Sequence, residues 1–376
     1  MQGPMSVNFP IVDYLEPVQP FVPGLRIPDV VRRYGLKAES VAKLASAENP
    51  LGPSPKAVKA IGNALNEMSF YPDWRAESLR EAIGRHHGVK AERVFVGCGE
   101  TELISFLIRA FSEQGDEILF PIPTFPIYEQ ASLVERRHPK WVKMDEDFKV
   151  DPERLLRAVG EKTRILILTS PNNPLSTTIA RETVQYLLDR LSPRILVLID
   201  EAYVDYADEA TKPDLLERTP NLVILRTFSK IYGLAGLRVG YGMAHEIIVR
   251  AVMKIKPAWN MGCLATAGAI AALDDREHYQ KTRALIHENR GYLTKRVAEF
   301  PNASVVMSPQ ANFLCVRIED LRKNSTEVFE GLLQGGVIVK DCSVSYKGLS
   351  DRFIRVDVSL TPRMDQFLEQ FSKVMG

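Results

Sequence analysis

Five short apolar runs constrain the fold of this chain more than any other feature. They are VFV (94–96), EILF (117–120), ILIL (165–168), ILVLI (195–199) and LVIL (222–225), and stretches with helical spacing separate them. Short runs that are apolar on both faces and alternate with helices are typical of a mainly parallel sheet covered on both sides. The pattern predicts the α/β fold class, in which ligands bind beyond the carboxyl ends of the strands.

The pattern changes after Tyr241, which predicts a second, smaller α+β unit. We predict an N-terminal arm (1–45) that joins the small domain, a large domain (46–255) and a small C-terminal domain (256–376). The small domain is predicted from helices at 264–273 and 279–300, short strands at 313–318, 337–340 and 353–358, and a last helix after Pro362.

The composition excludes several classes of protein. The 376 residues carry a formal net charge of +1, without the basic excess of a dedicated nucleic-acid binder. The N-terminus has neither a basic region nor an apolar region typical of a secretion signal, and no apolar run approaches the roughly 20 residues that span a bilayer. The four cysteines lack CxxC spacing, which favours reduced thiols and no metal site. We expect a cytoplasmic protein that binds neither nucleic acid nor membrane.

Polar and glycine-rich residues follow the predicted strands. The first of these segments, GCGETE (97–102), precedes a helix with amphipathic spacing. The free N–H groups and positive dipole of a helix N-terminus bind phosphate, although a plain strand-to-helix turn has the same pattern. GCGETE lacks the last glycine of the GxGxxG fingerprint, which makes a dinucleotide site a weak interpretation. Without a histidine base nearby, Cys98 is interpreted as a small packing residue.

Asp200 and Lys230 are the strongest candidates for chemistry at this edge. Asp200 ends the run LVLID, which is similar to a Walker B element, but the chain has no GxxxxGK[ST] motif and a nucleotide site is therefore excluded. Lys230 follows the strand at 222–225, within RTFSKIYGLAGLRVGYG (226–242). A lysine that can form a Schiff base, an acid that holds a ring nitrogen protonated and a phosphate cradle together meet the requirements of pyridoxal phosphate.

The order of the motifs resembles that of the fold-type I aminotransferases over nearly the whole chain, and most of all the histidinol-phosphate aminotransferases. The motifs are SAENPLGPSP, FYPDW, GCGETE, PTFPIY, SPNNP, IDEAY, RTFSKIYGLAGLRVGYG and FIRV. The resemblance implies a homodimer with an active site shared between the subunits. It also implies a pyridoxal-phosphate enzyme that moves an amino group from a donor, expected to be glutamate, to an oxo acceptor.

The resemblance also assigns roles to single residues. Lys230 resembles the Schiff-base lysine, Asp200 the partner of the pyridine nitrogen, and Asn173 and Tyr203 the residues that bond the ring hydroxyl. Phe125 resembles the aromatic side chain that stacks on the ring, and Tyr71 the tyrosine that reaches the phosphate from the neighbouring subunit. Arg355 and Lys340 match positions that bind the substrate's anionic groups. The residues that fall where the family holds the cofactor phosphate are Cys98, Gly99, Glu100, Ser229 and Arg238.

Some of these residues also have a simpler interpretation. Tyr203 and Phe125 are common types of core aromatic residue, and Arg355 is a common type of surface strand residue. A catalytically silent binding protein on this fold is therefore an alternative, against which the set of Lys230, Asp200, Asn173 and Arg238 argues.

Departures from the family pattern fall on the substrate side. Lys340 stands where an arginine commonly reads the substrate phosphate, and Val18 stands where a tyrosine is common. Ala47 replaces an asparagine, and Leu175-Ser176 replaces Thr-Gly. The segments VKDCSVSYKGLSDRFIRV and GCGETE also resemble threonine-phosphate decarboxylase. Two alternatives therefore stay open: decarboxylation of a phosphorylated amino acid, and transamination of another amino acid, such as an aromatic one.

Overall fold

The computed structural model describes residues 11–208, 215–216, 219–320 and 322–376. Its N-terminal part runs through the helix α1 (Ile27–Tyr34), the short strand β1 (Ala42–Lys43) and the helices α2 (Pro55–Asn63) and α3 (Glu77–His87). Ser54 starts α2 by accepting a hydrogen bond from the Ala57 amide, and Pro55 occupies the first helical position, where a missing N–H costs nothing.

A seven-stranded sheet forms the centre of the molecule. Its strands are β2 (Val94–Cys98), β3 (Glu117–Ile122), β4 (His138–Lys143), β5 (Thr163–Thr169), β6 (Leu196–Asp200), β7 (Leu222–Thr227) and β8 (Val239–Ala244). They lie in the order β2-β8-β7-β6-β5-β3-β4. β8 runs antiparallel to both of its neighbours, and the remaining pairs are parallel. The prediction of an α/β fold with a mainly parallel sheet is confirmed.

The apolar runs are apolar on both faces because both faces of the sheet are covered. Val197 and Ile199 of β6 point into one hydrophobic cluster. Leu196 and Leu198 point into the other. The helices that pack around the sheet include α4 (Glu100–Phe111), α5 (Ile127–Val134), α6 (Pro152–Ala158), α7 (Arg181–Arg190) and α8 (Glu246–Ile255).

Two strands of the sheet do not appear among the predicted runs. β4 is an edge strand in which every residue is exposed or half-buried, so it has no apolar run. β8 is buried throughout but reads VGYGMA, so its two glycines interrupt the apolar run. Gly242 is paired with Phe95, whose ring lies where a side chain at position 242 would stand.

The C-terminal part contains a four-stranded antiparallel sheet. The elements after α8 are the helices α9 (Cys263–Leu273), α10 (Arg276–Val297), α11 (Ser325–Gln334) and α12 (Thr361–Met375), and the strands β9 (Ala303–Val305), β10 (Phe313–Ile318), β11 (Val337–Ile338), β12 (Lys340–Asp341) and β13 (Phe353–Asp357). The sheet has the order β12-β13-β10-β9, and β11 pairs instead with β1.

The packing of two segments bears on the predicted domains. β1 lies within the predicted arm (1–45) and pairs with β11. α9 follows the predicted boundary at 255 and packs against α2 and α3. The limits 1–45, 46–255 and 256–376 stay a prediction. Within the described ranges, no helix combines the length and the apolarity needed to cross a membrane.

Replacing Gly242 by alanine should destabilise the protein, because the new Cβ would lie 2.1 Å from the Cζ atom of the fully buried Phe95 ring. Inserting a carbon into a close-packed core typically costs about 1–3 kcal/mol. The measurement is the free energy of unfolding in a denaturant titration of each variant.

Gly291→Ala is the matched control, since Gly291 lies on the exposed side of α10 and an added Cβ there meets nothing within 4 Å. Alanine should stabilise this helix by roughly 0.5–1 kcal/mol. Equal unfolding free energies for the Gly242→Ala variant and the parent protein would contradict the packing described.

Candidate active site

The carboxyl ends of β5, β6 and β7 open into a cavity of about 320 Å³. Thr169, Asp200 and Thr227 are the last residues of these strands, and all three line the cavity. Parallel strands that end at one edge of a sheet bring together residues that are far apart in sequence. Other lining residues are Glu100, Phe125, Asn173, Tyr203, Ser229, Lys230, Arg238, Lys340, Tyr346 and Arg355.

Lys230 reaches the cavity from the loop that follows β7. Its Nζ atom donates a hydrogen bond to the carbonyl oxygen of Ser46 (3.2 Å) and lies 5.2 Å from the centre of the Tyr203 ring. Burial lowers the pKa of Lys230 to about 8, and the positive charge of Arg355 acts in the same direction. The amine is therefore partly neutral near physiological pH, which is the form that attacks a carbonyl carbon.

Asp200 is a buried carboxylate held by directed hydrogen bonds. Its Oδ2 atom accepts a hydrogen bond from the Tyr128 hydroxyl (2.5 Å), and its Oδ1 atom accepts one from the Ala202 amide (3.0 Å). Burial raises the pKa of Asp200 above its ordinary value, and the Tyr128 bond acts in the opposite direction. Burial and the neighbouring Asp200 raise the pKa of Glu100 well above its ordinary value, so Glu100 is the carboxyl of the two that keeps its proton.

A cationic cradle forms where α4 begins. Gly99 precedes the helix with φ of +79°, and a Cβ at this position would lie 2.3 Å from Nη2 of Arg238. Arg238 also donates from Nη1 to the Ser229 hydroxyl (3.4 Å). No side chain caps this end of the helix. A guanidinium, a hydroxyl and a helix N-terminus at one place are suited to bind a phosphate group.

Arg355 links the smaller sheet to the central one. It donates from Nη1 to Oδ1 of Asn173 (2.8 Å) and to the Tyr346 hydroxyl (3.1 Å), and from Nη2 to the Ala45 carbonyl (2.6 Å). Tyr346 donates to the same Asn173 oxygen (2.9 Å). Asp357 lies 3.6 Å from the guanidinium and accepts a hydrogen bond from the Ala47 amide. Arg355 is therefore held at the cavity wall by several partners at once.

Lys340 lines the cavity beside Arg355 because the two residues are register partners on β12 and β13. Residues opposite each other in an antiparallel pair share a face of the sheet. The Lys340 Nζ atom donates to the carbonyl oxygen of Val22 (3.4 Å), and burial lowers the pKa of this lysine. Two cations thus face the cavity from the smaller sheet.

The structure places most of the predicted site residues around this one cavity. Gly99 lies beside the Arg238 guanidinium of the cradle but does not line the cavity. Cys98 is exposed and also lies outside the lining, and its amide donates to Glu102. Tyr71 is 82% exposed, packs on Trp259 and does not line the cavity.

Sequence reasoning assigned no role to several residues at or behind the cavity, among them Tyr346, Thr169 and Tyr128. Tyr346 enters from a loop of the smaller sheet, and Thr169 is the last residue of β5. Tyr128 lies inside the quoted motif PTFPIY without a role assigned to it, although it contacts Asp200. The position of Thr169 at a strand end was a usable signal, whereas the local sequence around Tyr346 has none.

Comparison with known proteins gives a consistent result. The family model for aminotransferase class I and II matches residues 39–371. A histidinol-phosphate aminotransferase of Methanothermobacter thermautotrophicus is 37% identical over 362 residues, which is 95% of each chain. Another of Methanocaldococcus jannaschii is 34% identical over 380 residues and covers 100% of both chains.

A solved structure shows the same architecture. The histidinol-phosphate aminotransferase of Sinorhizobium meliloti, crystallised in complex with pyridoxal-5'-phosphate, superposes with a TM-score of 0.89, covers 99% of each chain and is 25% identical. The predicted resemblance and the prediction of an aminotransferase are confirmed. The chain belongs to the class I and II aminotransferases.

Proposed function

We propose that this enzyme uses pyridoxal phosphate to exchange an amino group between glutamate and 2-oxoglutarate on one side and histidinol phosphate and its oxo counterpart on the other. The observation that carries the proposal is the position of Lys230, Asp200 and the Arg238 cradle around one cavity. The substrate is proposed from the relatives that are 34% and 37% identical over almost their whole length, each a histidinol-phosphate aminotransferase.

The residues present fit this cofactor. A phosphate matches the cradle of Arg238, Ser229 and the start of α4, where a side chain at Gly99 would fill the space. The Oε1 atom of Glu100 is buried without a hydrogen-bond partner among the described residues, and Glu100 lines the same cavity. An unpaired polar atom at the wall of a cavity is what a site built for a polar ligand shows.

Each protein group has a defined task in the proposed reaction. Bound pyridoxal phosphate supplies a ring that withdraws electrons from the substrate Cα. Asp200 holds a proton on the ring nitrogen, and Phe125 packs against the ring. Lys230 binds the cofactor and, with a pKa of about 8, is basic enough to move the Cα proton at its Nζ atom. Because Oδ1 of Asn173 already accepts two hydrogen bonds, its amide nitrogen is available to the ring hydroxyl, beside Tyr203.

The two cations of the smaller sheet are proposed to bind the substrate's anionic groups. Arg355 presents a planar fork that matches a carboxylate, whereas Lys340 presents a single point charge to a phosphate. Glutamate carries no phosphate, so we expect Lys340 to contribute to the binding of histidinol phosphate and not to that of glutamate.

We further propose a cytoplasmic homodimer in which Tyr71 completes the cradle of the neighbouring subunit. In support, Tyr71 and Phe70 are 82% and 74% exposed, and Tyr71 packs on the half-exposed Trp259, which makes a contiguous aromatic patch of the kind that marks interaction sites. The expected mass in sedimentation velocity is twice that of one chain, and a monomer at micromolar concentration would contradict the assignment.

Replacing Lys230 by alanine should abolish the lysine-bound chromophore and lower kcat by at least about 100-fold, because both the covalent attachment and the proton-transfer group are lost. The measurements are the visible absorbance of the reconstituted protein and its bleaching by borohydride. The exposed Lys373→Ala is the matched control and should behave like the parent protein. A borohydride-reducible linkage that survives in Lys230→Ala would show that another lysine binds the cofactor.

The rate at which the apoprotein captures pyridoxal phosphate should rise with pH through a midpoint near 8. Below the pKa of Lys230, about 8, the amine is protonated and does not attack, and above it the amine is neutral. Stopped-flow absorbance over a pH series measures this rate. Because the charge of Arg355 contributes to the low pKa, Arg355→Met should move the midpoint upward. A midpoint near the ordinary lysine value of about 10.4 in the parent protein would contradict the described burial.

Replacing Lys340 by alanine should raise KM for histidinol phosphate by about 10- to 100-fold, because a charge-assisted hydrogen bond is lost, and should leave KM for glutamate nearly unchanged. Steady-state transamination assays with each substrate give these values. The control is Lys347→Ala, since Lys347 is paired with Glu129 and does not line the cavity. Release of CO2 from a phosphorylated amino acid, without transfer of an amine, would replace the proposed function by the decarboxylase alternative.

A further inference from the structure

We propose that Tyr128 is a positioning residue for Asp200, and that its hydroxyl keeps this carboxylate ionised and correctly oriented toward the ring nitrogen of the cofactor. The inference rests on the proposed function, because the ring belongs to the proposed cofactor. Tyr128 does not line the cavity and acts only through Asp200.

Tyr128 is the end of a chain of hydroxyl groups that leads to Asp200. Its hydroxyl lies 2.5 Å from Oδ2 of Asp200 and 2.9 Å from Oγ1 of Thr169, which lies 3.1 Å from Oγ1 of Thr124. All four residues are buried, with exposed fractions of 5% or less. They come from the loop after β3, from α5 and from the ends of β5 and β6, so the tertiary fold brings these hydrogen-bonded groups together.

The direction of the hydrogen bonds in this chain follows from chemistry. An ionised carboxylate only accepts, so Tyr128 donates its single hydroxyl hydrogen to Asp200. The Tyr128 oxygen can then only accept from Thr169, and the Thr169 oxygen accepts in turn from Thr124. Hydrogen bonds aligned in one direction polarise one another, which strengthens the last bond, the one to Asp200.

Charged and titratable groups from several elements face Asp200. They are Tyr128 on α5, Glu100 on α4, Tyr203 after β6 and Lys230 in the loop after β7. Burial favours the neutral form of Asp200 and raises its pKa. The Tyr128 hydroxyl and the Ala202 amide favour the ionised form and lower this pKa, and Glu100 and Lys230 act in the same direction to a smaller extent. Tyr128 itself stays protonated, because burial and Asp200 raise its pKa well above the ordinary value. The hydroxyl is therefore a permanent donor over the working range of pH.

Packing alone does not require a hydroxyl at position 128. The ring contacts Phe120 and Phe125 at centroid distances of 6.0 and 5.9 Å, which a phenylalanine ring would preserve. The substitution Tyr128→Phe therefore separates the two roles, since it keeps the packing and removes the donor.

The experiment is a pH titration of the visible absorbance of the holoenzyme, which follows the proton on the nitrogen that joins Lys230 to the cofactor. Without the Tyr128 hydroxyl, the pKa of Asp200 rises and the ring nitrogen carries less positive charge. A less positive ring repels the proton on the linking nitrogen less, so this proton stays bound to higher pH. A hydrogen bond to an ionised group corresponds to about one to two pKa units. We expect the absorbance midpoint of Tyr128→Phe to rise by about one pH unit.

The matched control is Tyr206→Phe. Tyr206 is equally buried, and its hydroxyl has no hydrogen-bond partner among the described residues. Its midpoint should equal that of the parent protein. A Tyr128→Phe midpoint that equals the control overturns the proposal, because a residue with only a packing role leaves the titration unchanged.

A second variant keeps the test decisive if Tyr128→Phe does not fold. Thr169→Val retains Tyr128 but removes the hydroxyl that donates to it, so its midpoint should rise in the same direction by a smaller amount; in that case an unchanged midpoint overturns the proposal. If the parent protein itself forms no lysine-bound chromophore, the proposed function fails, which is distinguishable from failure of this inference alone.

Discussion

The site depends on one constraint, which is that the carboxyl ends of β5, β6 and β7 lie next to each other at one edge of the sheet. Thr169 is the register partner of Asp200, and Asp200 is the partner of Leu225. The parallel register therefore places the ends of β5 and β6 at one level, and β7 continues two residues further to Thr227 at the same edge, although the three strand ends lie far apart in sequence. Since backbone hydrogen bonds define this level, the groups that follow each strand have little freedom to separate.

Burying charged groups at this edge creates an electrostatic problem that the protein solves with directed partners. Asp200 has Tyr128 and the Ala202 amide, and Glu100 remains protonated beside it. Lys230 is the exception, because among the described residues its side chain makes a single hydrogen bond, the long one to the Ser46 carbonyl. A buried amine with weak compensation has a lowered pKa, so the same burial that costs stability supports its reactivity.

The smaller sheet completes the cavity from the opposite side. Arg355 and Tyr346 both donate to the Asn173 oxygen, so residues from two sheets meet on one side chain. Asp357 approaches the same arginine and also binds the Ala47 amide. Ala47 has φ of +50°, a conformation that asparagine adopts more readily than alanine. At position 47, where alanine replaces the asparagine of the family pattern, the Asp357 carboxylate binds the backbone amide and holds the loop in place.

Much of the fold and of the site was predictable from the sequence, for identifiable reasons. Strands covered on both faces must be apolar throughout, and this made β5, β6 and β7 visible as runs. The start of a helix depends on local residues, such as Ser54 and Pro55 at the start of α2. β4 and β8 escaped because an edge strand tolerates polar residues and because the glycines of β8 make room for Phe95 and for the start of α4.

The sequence by itself determined the fold class, the family and the residues at the strand ends, since these depend on periodicity and on contiguous motifs. Only the tertiary structure decided that Tyr346 reaches Asn173, that Lys340 stands beside Arg355 and that Tyr128 donates to Asp200. Tyr346 and Asn173 are 173 positions apart in the sequence. Tyr128 and Asp200 are 72 positions apart, and Lys340 and Arg355 are 15 apart. A hydrogen bond depends on distances of a few tenths of an ångström, and no local pattern encodes such a distance across separate elements.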